Sequence, residues 1–484
     1  MNGARSVKWM QLGKSVLVGI VLTGLAVTAG LYLGQLVLSP NWENAIRLVG
    51  FGGMAVAILT SPIYGLLLWV MLDPFGRFWS LTIRLPTGIP DLSLGRFSVA
   101  VLAMVWASQL AIGKKKMRRL TLVEICMAAF CVLAVPSMLS GQGGFNSSAQ
   151  MMLDRFIAPF MVFVLAKNLY EEKGGLDRIG GTLAVIGLYL SYMVFYEQTT
   201  GQPLFYLFGR STTYSRSLHK VVSLLGNPAF LGTVLGMVVP FALYKFVRER
   251  STYPKAFYGL VFGATLLGNF LCYNRGAWLA LAVGLLIMML FEREYRRLIL
   301  PVVLIGLAVL VLRWQEITGS ALVTERLSNT SSLTFRLTMV GASEQMVREH
   351  PIFGVGFDNF GDYFILYGGH WETLAYDAPT PHNSFLLVLT TMGLVVFIPY
   401  LLMFLAMVWG MGSLLARARK DKRVDTALLV AGWAVLAVYV VSAATVDLFV
   451  NTFSSLVFFA TTGTIMGYVS HMRSTRPVVQ EAQA

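Results

Sequence analysis

The sequence predicts an all-α, polytopic membrane protein of about fourteen transmembrane helices, with one long outer loop between helices 11 and 12. Three observations predict it. Of 484 residues, 56% are hydrophobic and only 13% are charged, about half the charged share of a soluble domain. Mean hydropathy is +0.67. Apolar runs near the ~20 residues that cross a bilayer core recur along the chain, and no polar stretch is long enough to form a large separate domain. These features exclude a soluble enzyme, a disordered chain, a fibrous protein and a one-span receptor.

The runs lie at about 15–38, 46–73, 96–112, 122–138, 152–168, 178–195, 222–244, 256–272, 276–291, 298–312, 384–408, 426–446 and 449–470. The first follows Arg5, Lys8 and Lys14 and is too long for a signal-peptide core, so it reads as a span. The second contains Ser61-Pro62, which interrupts a helix. Charge decides how it is read. If 46–73 is one span, the basic run Lys114–Arg119 and every later basic loop lie outside. If it is a hairpin of two short spans, eleven of the twelve lysines lie inside, Lys220 being the exception. Basic residues are retained on the cytoplasmic side, so the hairpin, fourteen spans and two cytoplasmic ends follow. The net charge of +14 is then a topology signal. It does not point to nucleic acid, because no basic, aromatic-laced polar domain exists. Cys126, Cys131 and Cys272 lie inside apolar runs, and their odd number argues against a disulfide framework.

Four regions follow: N-terminal helices with an outer loop (1–221), a central region (222–408) that includes the long loop 313–383, a C-terminal hairpin (409–473) and a polar tail (474–484). The long loop contains no lysine and eight acidic residues, and it holds His350, His370 and His382. Its stretch Leu333–Glu349 has helical spacing through Leu333, Leu337, Val340, Met346 and Val347, which predicts an amphipathic helix at the membrane surface. His382 stands at the entrance to the span 384–408. Arg275, Arg336, Arg348, Arg210, Arg216 and Lys220 all fall on the same predicted face. Guanidinium forks suit phosphate oxygens, so this face fits an anionic lipid headgroup. The outer side shows no metal-ligand spacing and the inner side no phosphate-binding glycine loop, so no metal and no cofactor is expected.

Four stretches carry a family resemblance: Leu225-Gly226-Asn227-Pro228; Asn274-Arg275-Gly276-Ala277-Trp278-Leu279-Ala280; Phe335-Arg336 followed by His350-Pro351-Ile352-Phe353-Gly354-Val355-Gly356; and His382-Asn383 followed by Gly393. In this order the set resembles the bacterial O-antigen ligase and O-antigen (exopolysaccharide) polymerase family over about 222–408. The chain departs from the family pattern at Met392 and Val396, where an acidic residue and a second glycine are common.

The resemblance implies an inner-membrane glycosyltransferase, metal-independent and inverting, with its active site on the periplasmic face. The donor would be a glycan on undecaprenyl diphosphate, and the acceptor a sugar hydroxyl of a glycan or of lipid A-core. Histidine titrates near ~6.5, which suits a base for the attacking hydroxyl. His382 is the candidate, with Asn383 orienting it or the sugar. Arg275 and Arg336, then Arg348, would meet charge on the departing diphosphate. Arg210, Arg216 and Lys220 would hold diphosphate or glycan. The leading expectation is a polymerase of exopolysaccharide, capsule or O-antigen repeats, embedded among membrane lipids and working beside flippase and chain-length regulator proteins. The alternatives are an O-antigen ligase, a flippase for the same lipid-linked glycan, and a polymerase of the rod-shape family. Glu124, Asp154 and Arg155 do not line up as a transport path.

Overall fold

The computed structural model describes residues 42–78, 81–83, 85, 91–141, 143–171, 174–204, 221, 223–313, 331–368, 380–418 and 424–474. The first run, 15–38, and the tail lie outside the described residues. Every other apolar run is helical: α1 (Trp42–Thr60), α2 (Pro62–Phe78), α3 (Leu94–Ala111), α4 (Leu122–Leu133) with α5 (Val135–Leu139), α6 (Gly144–Met152) running through a π-helical turn Leu153–Ile157 into α7 (Ala158–Leu169), α8 (Gly175–Thr200), α9 (Pro228–Arg248), α10 (Thr252–Leu271), α11 (Arg275–Phe291), α12 (Arg293–Leu312), α15 (Ser384–Ala418), α16 (Thr426–Ala443) and α17 (Thr452–Ser474). The long loop contributes α13 (Ser331–Glu349) and α14 (Phe360–Gly368). A two-residue antiparallel pair, Thr82–Ile83 with Leu92–Ser93, joins α2 to α3 and has no counterpart in the hydropathy reading. Among the described residues eight helices are long and apolar enough to cross a bilayer, so the protein is an all-α, multi-pass membrane protein.

The Ser61-Pro62 break produces two helices. A Cβ at Gly65 would lie 2.7 Å from the Ile58 Cα. Seven residues along one straight helix are about 10 Å apart, so the chain doubles back here.

The core is built on α9 and α17. The apolar window of α17 is wholly buried and that of α9 almost so. Gly463 and Gly467, four residues apart on α17, face α7. A Cβ at Gly463 would meet the Phe163 carbonyl at 2.6 Å, and one at Gly467 the Lys167 carbonyl at 2.8 Å. Small residues at this spacing let backbones approach where lipid supplies no hydrophobic drive.

The two ends of the bundle differ. At one end Arg248 pairs with Asp425 (2.7 Å) and Glu294 (3.0 Å). Arg118 there donates to the carbonyls of Tyr170 and Gly467. Both are arginines of the basic loops. The helices α9 and α11 run from the other end toward this one, and α16 returns from Asp425.

At the other end the long loop is locked onto α15. The Val355 and Gly356 N–H groups donate to the Thr390 and Thr391 carbonyls (2.9 and 3.0 Å), and Leu394 N–H donates to the Pro351 carbonyl at 2.9 Å. Gly393 permits this by adopting φ 74°, ψ −179° within the helix, a region that only glycine populates freely. A Cβ there would collide with the Ile352 carbonyl. Gly393→Ala is therefore expected to destabilise the fold by about 3 kcal/mol, from backbone strain and lost loop bonds, read as a lower melting temperature of the purified chain. An unchanged melting temperature would contradict this account.

The helix expected at 333–349 is present as α13, but its packed stripe differs. Met339, Ala342, Ser343 and Met346 are buried, whereas Leu337 and Val340 point outward. Packing against α14 and α15 selected the small and flexible side chains, leaving the branched ones on the free face.

Candidate functional site

Two helix entrances form the site. The Asn274 side chain caps α11 by accepting from Ala277 N–H at 2.9 Å. Arg275 is thus the first residue of that helix and is exposed. The Asn383 side chain likewise caps α15, accepting from Phe385 and Leu386 N–H at 3.0 Å each. Its carbonyl oxygen is occupied by the cap, which positions His382 one residue before it. His382 adopts φ 51°, a left-handed conformation uncommon for a side-chain-bearing residue and found where surrounding structure over-determines it.

One short connector, the segment 444–451 between α16 and α17, holds both entrances. A Cβ at Gly276 would lie 2.6 Å from the Thr445 Oγ1. Ser384 Oγ donates to the Val446 carbonyl (3.2 Å) and accepts from Leu448 N–H (2.9 Å). Asn451 donates to the Leu225 carbonyl at 3.2 Å, fastening the Leu225–Pro228 turn. The four stretches singled out in the sequence therefore meet at one end of the bundle, opposite the Arg248–Asp425 end.

Arg336 lies near enough to His382 to act on it electrostatically. Burial, and second the Arg336 charge, hold the imidazole below its ordinary pKa. The Phe335 ring lies 6.1 Å from the imidazole, centroid to centroid. A histidine kept neutral near pH 7 is an acceptor for a proton. Arg348 is exposed and pairs with Glu344 one turn earlier at 2.5 Å. Among the described residues its ion pair is with Glu344 and not with the His382 cluster. Arg210, Arg216 and Lys220 lie outside the described residues.

Residues 260–401 match a family model described as O-antigen ligase. That region is similar to the O-antigen ligase family. No curated protein matches the chain. The matched region contains Arg275, Arg336, Arg348, His382, Asn383 and Gly393. The connector 444–451, which ties its two helix entrances together, lies beyond it.

Sequence reasoning missed Asp447 in that connector. Its side chain is fully buried; Oδ1 accepts from Phe449 N–H at 3.0 Å, and Oδ2 has no partner among the described residues. Burial pushes this carboxyl up to about 6, against the opposing pull of Arg155. Arg155 also approaches Asp358 of the long loop at 3.9 Å. A lone acidic residue in the gap between the runs 426–446 and 449–470 was the available signal. Asp447→Asn keeps the shape and removes the charge. It is expected to lower turnover about tenfold with unchanged protein level, since a buried group facing Arg155 loses its ionised form. Wild-type turnover would make Asp447 a packing residue only.

Proposed function

We propose that the protein is a bacterial inner-membrane glycosyltransferase that moves a glycan from undecaprenyl diphosphate to a sugar hydroxyl on the periplasmic face, as a polymerase of exopolysaccharide, capsule or O-antigen repeat units. One observation carries this reading: the helix entrances bearing Arg275 and His382 flank a single connector, with Arg336 beside the histidine, at the end opposite the Arg248–Asp425 cluster. The positive-inside rule puts the basic end, and both termini, in the cytoplasm and the site in the periplasm.

The step runs as follows. The acceptor oxygen attacks the anomeric carbon from the side opposite the leaving group, giving inversion. Its proton passes to the neutral imidazole of His382. The bond from the anomeric carbon to the diphosphate oxygen breaks, and the electron pair leaves with the diphosphate. That charge is met by the Arg275 and Arg336 guanidiniums and by the positive N-terminus of α11. These donors stabilise the transition state more than the ground state. Asn383 supports the base by capping α15. Arg348, Arg210, Arg216 and Lys220 contact the diphosphate or glycan as it docks. The lipid tail lies among the spans.

The ligase reading shares the donor and the chemistry and differs in the acceptor, lipid A-core. The description of the matched family favours it. A reconstituted assay separates the two. With lipid-linked repeat units alone, a polymerase lengthens the glycan, whereas a ligase is silent until lipid A-core is added. No product under either condition overturns both. In the same assay turnover is expected to persist in EDTA, because arginine meets the diphosphate charge. Reversible loss on chelation would reveal a required metal.

A further inference from the structure

A cavity lies at the far end of the connector 444–451, where Thr452 forms part of its wall. It has a volume of about 170 Å³ and lies among α2, α3, the π-helical turn and α17. Its polar lining includes Trp69, Asp73, Ser93, Arg96, Asp154 and Thr452. Three observations make it more than a packing gap. The Trp69 indole is 1% exposed, and its N–H has no partner among the described residues. Arg96 grips Asp154 with two parallel bonds (2.8 and 2.7 Å), fixing both in place. Gly95 keeps the space open: a Cβ there would stand 3.5 Å from Trp69 Nε1 and 3.6 Å from Asp73 Oδ1.

We propose that this cavity binds one pyranose ring of the glycan, as a subsite. Size permits it, since a cavity of about 150 Å³ admits a six-membered ring such as benzene. The lining selects the chemistry. An anion would face Asp73 and Asp154. A cation would face Arg96 and an indole donor. An apolar group would leave the buried N–H unpaired at a cost. A neutral polyol, carrying both donors and acceptors, satisfies the mixed set. Position agrees. The π-helical turn places Asp154 in this cavity and Arg155 against Asp358 and under the influence of Asp447. Such turns recur at functional sites. Thr452 lines the cavity five residues after Asp447. The connector that ends at Thr452 also bonds Ser384, at the His382 entrance.

The subsite rests on the glycosyl-transfer reading, yet its test does not require turnover. The full chain in nanodiscs is titrated with methyl pyranosides of glucose, galactose, mannose, N-acetylglucosamine and N-acetylgalactosamine, followed by ligand-observed NMR. At least one is expected to bind in the millimolar range. Trp69→Phe, which keeps the ring and removes the N–H, is expected to weaken it about tenfold. Gly95→Val fills the cavity and is expected to abolish binding at an unchanged melting temperature; if it does not fold, Trp69→Phe decides alone. His382→Ala is expected to bind as wild type does. Binding by a chain that shows no transfer activity sustains the subsite while the transfer reading fails. Absence of binding by all five sugars, or equal binding by wild type and Trp69→Phe, overturns the subsite and leaves a cavity for water only.

Discussion

Replacing His382 with Ala is expected to lower glycan transfer by about 10²–10⁴-fold, the usual contribution of a positioned base, with the protein still present in the membrane at its normal level. The imidazole is partly buried, sits one residue before a capped helix entrance and lies within the field of Arg336. Its pKa is depressed, so the neutral, proton-accepting form persists to lower pH than for a free histidine. The acid limb of the wild-type rate profile should therefore fall below the ordinary ~6.5. Arg336→Gln removes a positive neighbour, stabilises the imidazolium and should move that limb upward, besides lowering the rate. His382→Ala should lack the limb altogether. Polymer of normal length and yield from His382→Ala would end the case for a histidine base.

Arg275→Lys is the second large effect, expected at about 10²–10³-fold in turnover, the cost of losing one donor aimed at developing charge. The position is the first residue of α11, where the helix dipole already favours an anion. Lysine keeps the charge but not the planar two-pronged donor that matches phosphate oxygens. Because Asn274 caps the helix independently, the substitution should leave the fold intact, checked by an unchanged melting temperature. Turnover at the wild-type rate would reduce Arg275 to a surface anchor.

Much of the architecture was legible in the residue string. The runs from 46–73 onward are helices, and the hairpin inferred from lysine placement alone appears as α1 and α2 folded back at Ser61. The positions of His382 and Arg275 at span entrances were legible as well, since span boundaries follow from hydropathy. The role of Asn383 as a cap, the stripe on which α13 packs and the importance of Asp447 were not. The cap is local, made with the N–H groups of Phe385 and Leu386 once the chain turns helical there, whereas the other two depend on partners distant in sequence: the faces of α14 and α15, and the guanidinium of Arg155.

Composition and periodicity alone settled that the chain is a multi-pass helical membrane protein, because a bilayer admits only segments that satisfy their own backbone hydrogen bonds, and such segments are written as continuous apolar runs. They also grouped the cationic loops apart from the loops bearing His382 and Arg275. Only the folded chain decided that four separated stretches converge on the connector 444–451, that Gly393 turns the loop onto α15, and that Trp69 and Arg96 enclose a cavity. Those outcomes come from side-chain shape and close backbone approach between helices, for which lipid-facing hydrophobicity carries no information.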